Sequence, residues 1–173
     1  SGTGNILVQA DMDQDRAGDL AFTLAGTDGA ERVRIKDAGG TYGTGSIQLR
    51  GENIVTENYS AKTGGKIEIF AGRHSSSTGE VHSSSAADGT FDLSAASFDI
   101  EAKGAGIGQS GGGTLEIVSS GQVDAEADGA IHITSVTGNA LKVGLIDAGT
   151  NNVTLVGDTG VTDDVSGAGI DKF

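Results

Sequence analysis

Apolar and polar residues alternate along most of this chain, in short runs that start at a glycine or a small polar residue. The runs read GNILV, GDLAFTL, GSIQL, GKIEI, GTFDL, GTLEI, GAIHI, NALKV and NNVTL. A period of two marks a strand with one buried face. Alternation assigns Leu20/Phe22, Ile47/Leu49, Ile67/Ile69, Phe91/Leu93, Leu115/Ile117, Ile131/Ile133, Leu141/Val143 and Val153/Leu155 to an interior. It sends Gln48, Glu68, Asp92, Glu116, His132, Lys142 and Thr154 outward. Helical spacing is nowhere sustained, so the expected class is all-β.

The intervals between runs point to a repeat. Ile67 follows Ile47 by 20 residues, Phe91 follows Ile67 by 24, and Leu115 follows Phe91 by 24. A second apolar position trails several of these anchors: Ile54 by seven residues, Phe98 by seven and Val123 by eight. Two short strands per coil of roughly 20–24 residues describe a parallel β-helix, a β-solenoid in which each coil covers its neighbour. Its expected hand is right, from the rule for parallel crossovers. A sandwich or barrel is the competing architecture, kept open by the Asp-Gly pairs at 28–29, 88–89 and 128–129, which suit hairpins. Near Ile131 the interval shortens, with Leu141 ten residues on and Val153 a further twelve. The solenoid is expected to span 1–157, with 158–173 a frayed end or a linker to further coils. An open solenoid end exposes unpaired backbone, so neighbouring coils of a parent chain are the first expected partner.

Composition narrows the class of function. The chain has 173 residues, of which 30 are glycine; proline and cysteine are absent and aromatics are 4%. Glycine at this level serves frequent sharp turns, and a proline-free sequence suits long ladders, since each proline removes a donor. A core with so few rings must be built from small aliphatic layers. The formal net charge of −13 argues against nucleic acid, which demands clustered Lys and Arg, and against anionic membrane surfaces. No stretch approaches the roughly 20 apolar residues of a membrane-spanning helix.

"GNILVQADMDQDRAGDLAFTLAG", followed by "GSIQLRGENIVT" and "GGKIEIFAG", resembles the filamentous haemagglutinin-like repeats of large bacterial exoproteins and adhesins. The resemblance covers most of residues 4–157 and lies in the coil pattern, not in a catalytic signature. It implies a β-helical stalk, secretion or display at a bacterial cell surface in association with the outer membrane, and a structural or adhesive role. Host or cell-surface proteins or glycans are the partners it implies.

Candidate chemistry is sparse. Asp11, Asp13, Asp15 and Asp19 are spaced like the start of a calcium loop, but Arg16 stands where the sixth-position glycine belongs and Phe22 where the bidentate Glu belongs. In an extended strand alternate carboxylates lie about 6.6 Å apart, too far to share one ion. A turn whose Asp side chains cap amides is the favoured reading, with calcium the functional one. The stretch "HSSSTGEVHSSSAADG" is expected to be a loop thrown out from the coil between Ile67 and Phe91, presenting His74, Glu80 and His82 to a partner. Two imidazoles and one carboxylate fall short of a structural zinc site. A polysaccharide lyase or hydrolase on the same scaffold is the alternative function; it needs Lys or Arg converging with carboxylates, and Arg34, Arg50 and Lys66 with Glu52 and Glu68 are the candidate set. The expectation is no enzyme and no cofactor beyond possible calcium. Tyr42 and Tyr59 are the rings available for stacking on a sugar.

Overall fold

A computed structural model describes residues 3–10, 20–22, 32–36, 40–72, 79–109 and 113–163. Among them are seventeen strands and no helix. Seven strands form one sheet, in the spatial order β1 (Ile6–Gln9), β4 (Ile47–Gly51), β7 (Lys66–Ala71), β10 (Ser97–Ala102), β13 (Gln122–Ala127), β15 (Leu141–Asp147) and β17 (Val161–Asp163). The second sheet has ten. One limb runs β2 (Leu20–Ala21), β5 (Ile54–Thr56), β8 (Gly79–Ser83), β11 (Gly104–Ile107) to β14 (Ile131–Ser135). The other returns through β12 (Leu115–Ser119), β9 (Leu93–Ala95) and β6 (Ala61–Lys62) to β3 (Val33–Arg34), while β16 (Val153–Gly157) pairs with β14. Every strand pairing is parallel. The sandwich with hairpin neighbours is thereby overturned among the described residues.

Parallel pairing explains the intervals. The chain visits the seven-stranded sheet once per pass and adds each strand beside its equivalent in the pass before. Ile6, Ile47, Ile67, Phe98, Val123 and Val143 form one column across that sheet, and Val8, Leu49, Ile69, Ile100, Ala125 and Ile146 form the next. In the second sheet Leu20, Ile54, Val81, Ile107, Ile131 and Val153 stack likewise, as do Val33, Ala61, Leu93 and Ile117. Most of these side chains are buried, and burying an Ile, Leu or Val contributes about 1.5–3 kcal/mol.

Three expectations are corrected. Ile67 does not lie beside Phe91; its partner is Phe98, 31 residues on. This pass takes in two strands of the other sheet, like the one before it, but has longer connections between its strands, 84–92 between β8 and β9 against 57–60 between β5 and β6. Phe91 and Leu93 belong to the approach to the other sheet, where Leu93 pairs with Ile117. Within the stretch expected as a loop, Glu80 and His82 lie on strand β8, which pairs with β5 and β11, while residues 84–89 form a turn and 74–78 lie outside the described residues. Asp92 and Glu116, outward by alternation, are buried.

The shortened interval after Ile131 also has a cause. β14 pairs through Ile131 with Ile107 on one limb and through Ile133 with Leu115 on the other. The two limbs merge there, and later passes place two strands where earlier ones placed three. Pairing then continues beyond residue 157, since Leu141–Val143 pair with Val161–Asp163. Val153 is 40% exposed; among the described residues its strand β16 pairs with β14 alone.

One close approach demands glycine. Gly72, with φ +67°, ends β7 against Gly79 and the Lys103 carbonyl, leaving no room for a Cβ on either glycine.

Ile100→Ala is expected to lower the unfolding free energy by about 2–5 kcal/mol, the cost of a buried cavity. Leu7→Ala, at a side chain 56% exposed, should change it by less than about 0.5 kcal/mol. Urea denaturation followed by circular dichroism checks both.

Candidate functional site

The largest concentration of buried polar chemistry lies at the corner where β8 hands over to β9. Asp92 is wholly buried and Glu116 is 3% exposed. They are stacked neighbours: the Asp92 amide donates to the Glu116 carbonyl at 2.8 Å, and the Glu116 amide donates to Asp92 Oδ2 at 3.0 Å. Ser83 Oγ, at the end of β8, donates to Asp92 Oδ1 at 2.8 Å. The Glu116 carboxylate accepts the Asp88 and Gly89 amides at 3.0 and 2.9 Å, so a side chain from the next pass clamps the turn between β8 and β9. Asp88 itself accepts Asn58 Nδ2 at 2.9 Å. Tyr59 and Phe91 close the outside edge to face, centroids 4.8 Å apart.

Burial sets the electrostatics. It pushes the Asp92 carboxyl up to about 7, against the hydrogen bonds from the Glu116 amide and Ser83, with the charges of Glu116 and Asp88 adding to the rise. Burial likewise raises Glu116, opposed by the Asp88 and Gly89 amides. Asp88 is lowered, chiefly by its bond from Asn58. The pair was missed in the sequence because alternation alone sends both residues outward. The available signal was two acidic residues at equivalent places, 24 residues apart, beside Phe91 and an Asp-Gly turn.

The outer face of the seven-stranded sheet is acidic. Glu68, Asp99 and Asp124 occupy one row beyond Gln48, and Glu101, Glu126 and Asp147 occupy another beyond Phe70. Lys66 bridges Asp99 at 2.8 Å and Glu68 at 3.6 Å, and Lys103 meets Glu101 at 3.4 Å. Burial acts to lower Lys66, but these carboxylates, Asp99 first, outweigh it and raise the ammonium above its usual range. Asp124 is committed to structure, accepting Gln122 Nε2 and the Leu145 amide, each at 2.7 Å. At the β15–β16 end of the stack a cavity of about 900 Å³ is lined by Leu145, Ile146, Ala148, Val153, Leu155 and Val161.

Asp11, Asp13, Asp15, Asp19 and His74 lie outside the described residues. Glu80 and His82 are brought together, Oε1 to Nδ1 at 3.1 Å, on β8. Among the described residues no group of three His, Asp, Glu or Cys is arranged to hold a metal ion. Of the candidate basic set, Lys66 meets Glu68 at 3.6 Å and Arg50 reaches Glu68 through Gln48, which accepts from Arg50 at 3.1 Å and donates to Glu68 at 2.7 Å, whereas Arg34 lies on the other sheet beside Lys62. Tyr42 is taken by cations, with Lys36 and Lys62 Nζ 4.4 and 4.6 Å from its ring centre. No protein-family model matches the chain, and no curated protein or solved structure matches it.

Glu116→Ala would take the acceptor from the part-buried hydrogen bonds of the Asp88 and Gly89 amides, and each such loss costs about 0.5–1.5 kcal/mol. Thermal unfolding should show that destabilisation, and Glu116→Gln, which keeps one acceptor oxygen, should lose less.

Proposed function

We propose that this chain is a scaffold segment of a large secreted or surface-displayed protein. Its described strands belong to successive coils of a right-handed parallel β-helix of the filamentous haemagglutinin-like kind. Its work is mechanical. The observation that carries the reading is the run of aliphatic columns, Ile47–Ile67–Phe98–Val123–Val143 foremost, through consecutive passes of the chain. A structure in which each pass covers the last is stiff along its axis and extends by simple repetition. The acidic outer rows keep such a rod soluble and self-repelling. In this role the outward faces and corners are the contact points for a host or cell-surface protein or glycan, and the ends are contact points for neighbouring coils. Calcium, if bound, belongs to the Asp11–Asp19 stretch.

On the outer face Lys66, Glu68, Gln48 and Arg50 satisfy one another and Arg34 lies on the other sheet; charges already paired in this way favour scaffold over lyase or hydrolase. The test is incubation with pectin-like and alginate-like polymers, following absorbance of unsaturated products and reducing ends. The expected result is no product above background, together with slow proteolysis of the segment 79–163 in the same buffer. Catalytic release of oligosaccharide, or rapid cleavage within the strands, would overturn the reading. For calcium, a melting temperature that is the same in calcium and in chelator removes the ion from the account.

A further inference from the structure

We propose that the corner formed by Ser83, Asp92 and Glu116 is a proton-operated latch, closed at mildly acidic pH and loosened towards neutrality, that governs segment 84–91. The geometry supplies both halves of such a device. Glu116 holds the segment by its Asp88 and Gly89 amides. Asp92 sits against the Glu116 backbone with no exposure to solvent.

The groups around Asp92 are, by element, Ser83 on β8, Glu116 on β12, Asp88 in the segment itself, and Ser60 beside Glu57 in the β5–β6 turn. None is a cation. The neighbouring lysine, Lys62, has its Nζ beside the Tyr42 and Phe91 rings, 4.6 and 5.1 Å from their centres. The charged groups acting on Asp92 are Glu116 and Asp88, and the one acting on Glu116 is Asp88, all of them carboxylates. An ionised Asp92 would therefore be a buried charge next to a second carboxylate, with two hydrogen bonds as its whole compensation. Loss of its proton to solvent favours any arrangement that lets water reach the carboxylate, and release of segment 84–91 from the Glu116 clamp is the opening assigned to it. Opening would unclamp Asp88 and Gly89 and bare the Phe91–Tyr59 pair.

The direction follows from linkage. The closed corner holds the Asp92 proton up to about pH 7, whereas the open form releases it near the ordinary value of 3.8. Closure is thus most stable below about pH 4, weakens as pH rises, and stops weakening above about 7.

Amide exchange of the peptide spanning 84–92, corrected for the intrinsic pH dependence of exchange, tests the latch on the whole chain. The opening constant is expected to rise about tenfold per pH unit between pH 5 and 7, the consequence of one proton released on opening. In Asp92→Asn the dependence should vanish, while a control peptide from β10 shows no such step in either protein. The idea is overturned if wild-type exchange is flat across this range or if Asp92→Asn keeps the slope. Should that variant fail to fold, the carboxyl carbon of Asp92 can be titrated by NMR in the wild type. A midpoint below about 5 would overturn the latch, and one near 7 would support it.

Discussion

The structure depends on inward side chains of one pass landing on inward side chains of the next. Backbone pairing holds strands about 4.8 Å apart, a spacing at which stacked Ile, Leu and Val make contact and leave no gap for water. Parallel pairing in register is what enforces this. Ile69 lies between Leu49 and Ile100 because its own backbone is bonded to theirs. The apolar term and the hydrogen-bond term therefore favour one arrangement together. A slip of one residue would turn a whole column outward. The scarcity of rings follows from the same constraint: a Phe such as Phe98 fits singly between Ile67 and Val123, but a column of Phe would not fit the thin interior.

Outside the columns the same stacking places like beside like, and there it costs. Glu68, Asp99 and Asp124 stand in successive strands, as do Glu101, Glu126 and Asp147. Carboxylates opposite one another repel, and the chain answers in three ways. Lys66 sits between Asp99 and Glu68, Gln122 and the Leu145 amide occupy Asp124, and Lys103 meets Glu101. At the corner water is not available, and Asp92 and Glu116 are held by backbone and hydroxyl donors instead. One stacking rule thus yields solvated rows on the flat face and a strained pair in the turn.

The strands were legible in the sequence because side-chain alternation depends only on the local backbone. Ile47/Leu49, Ile67/Ile69, Leu115/Ile117 and Ile131/Ile133 are buried as alternation expects. Which strand lies beside which was legible only in part. Phe91 and Phe98 present similar local patterns, seven residues apart, and interval counting chose Phe91 as the partner of Ile67. The choice between them is made by the length of corner that β8 and β9 consume, and a corner has no periodicity to read. Asp92 and Glu116 escaped for a related reason: alternation reports which side of its own strand a residue occupies, whereas their burial comes from a turn folded over them. Glu80 and His82 were expected on a loop facing a partner; they pair with each other on β8, a strand that their serine-rich surroundings concealed.

Corners are where this architecture can vary. Successive passes measure 20, 31, 25 and 20 residues from Ile47 through Ile67, Phe98 and Val123 to Val143, yet each interval returns an inward residue to an inward place. Apart from the register shifts between β13 and β15 and between β8 and β11, the strands keep step, so most of the extra residues are absorbed between them. A long turn carries a cost in conformational freedom, and it becomes determinate only if something fixes its amides. Glu116 does this for the turn at 88–89, reaching from the following pass, so the shape of one coil's corner is set by the coil stacked upon it. In a protein of this kind a corner that is to be specific must therefore be written in two places in the sequence, about one coil apart. The Asp92–Glu116 pair is such an instance.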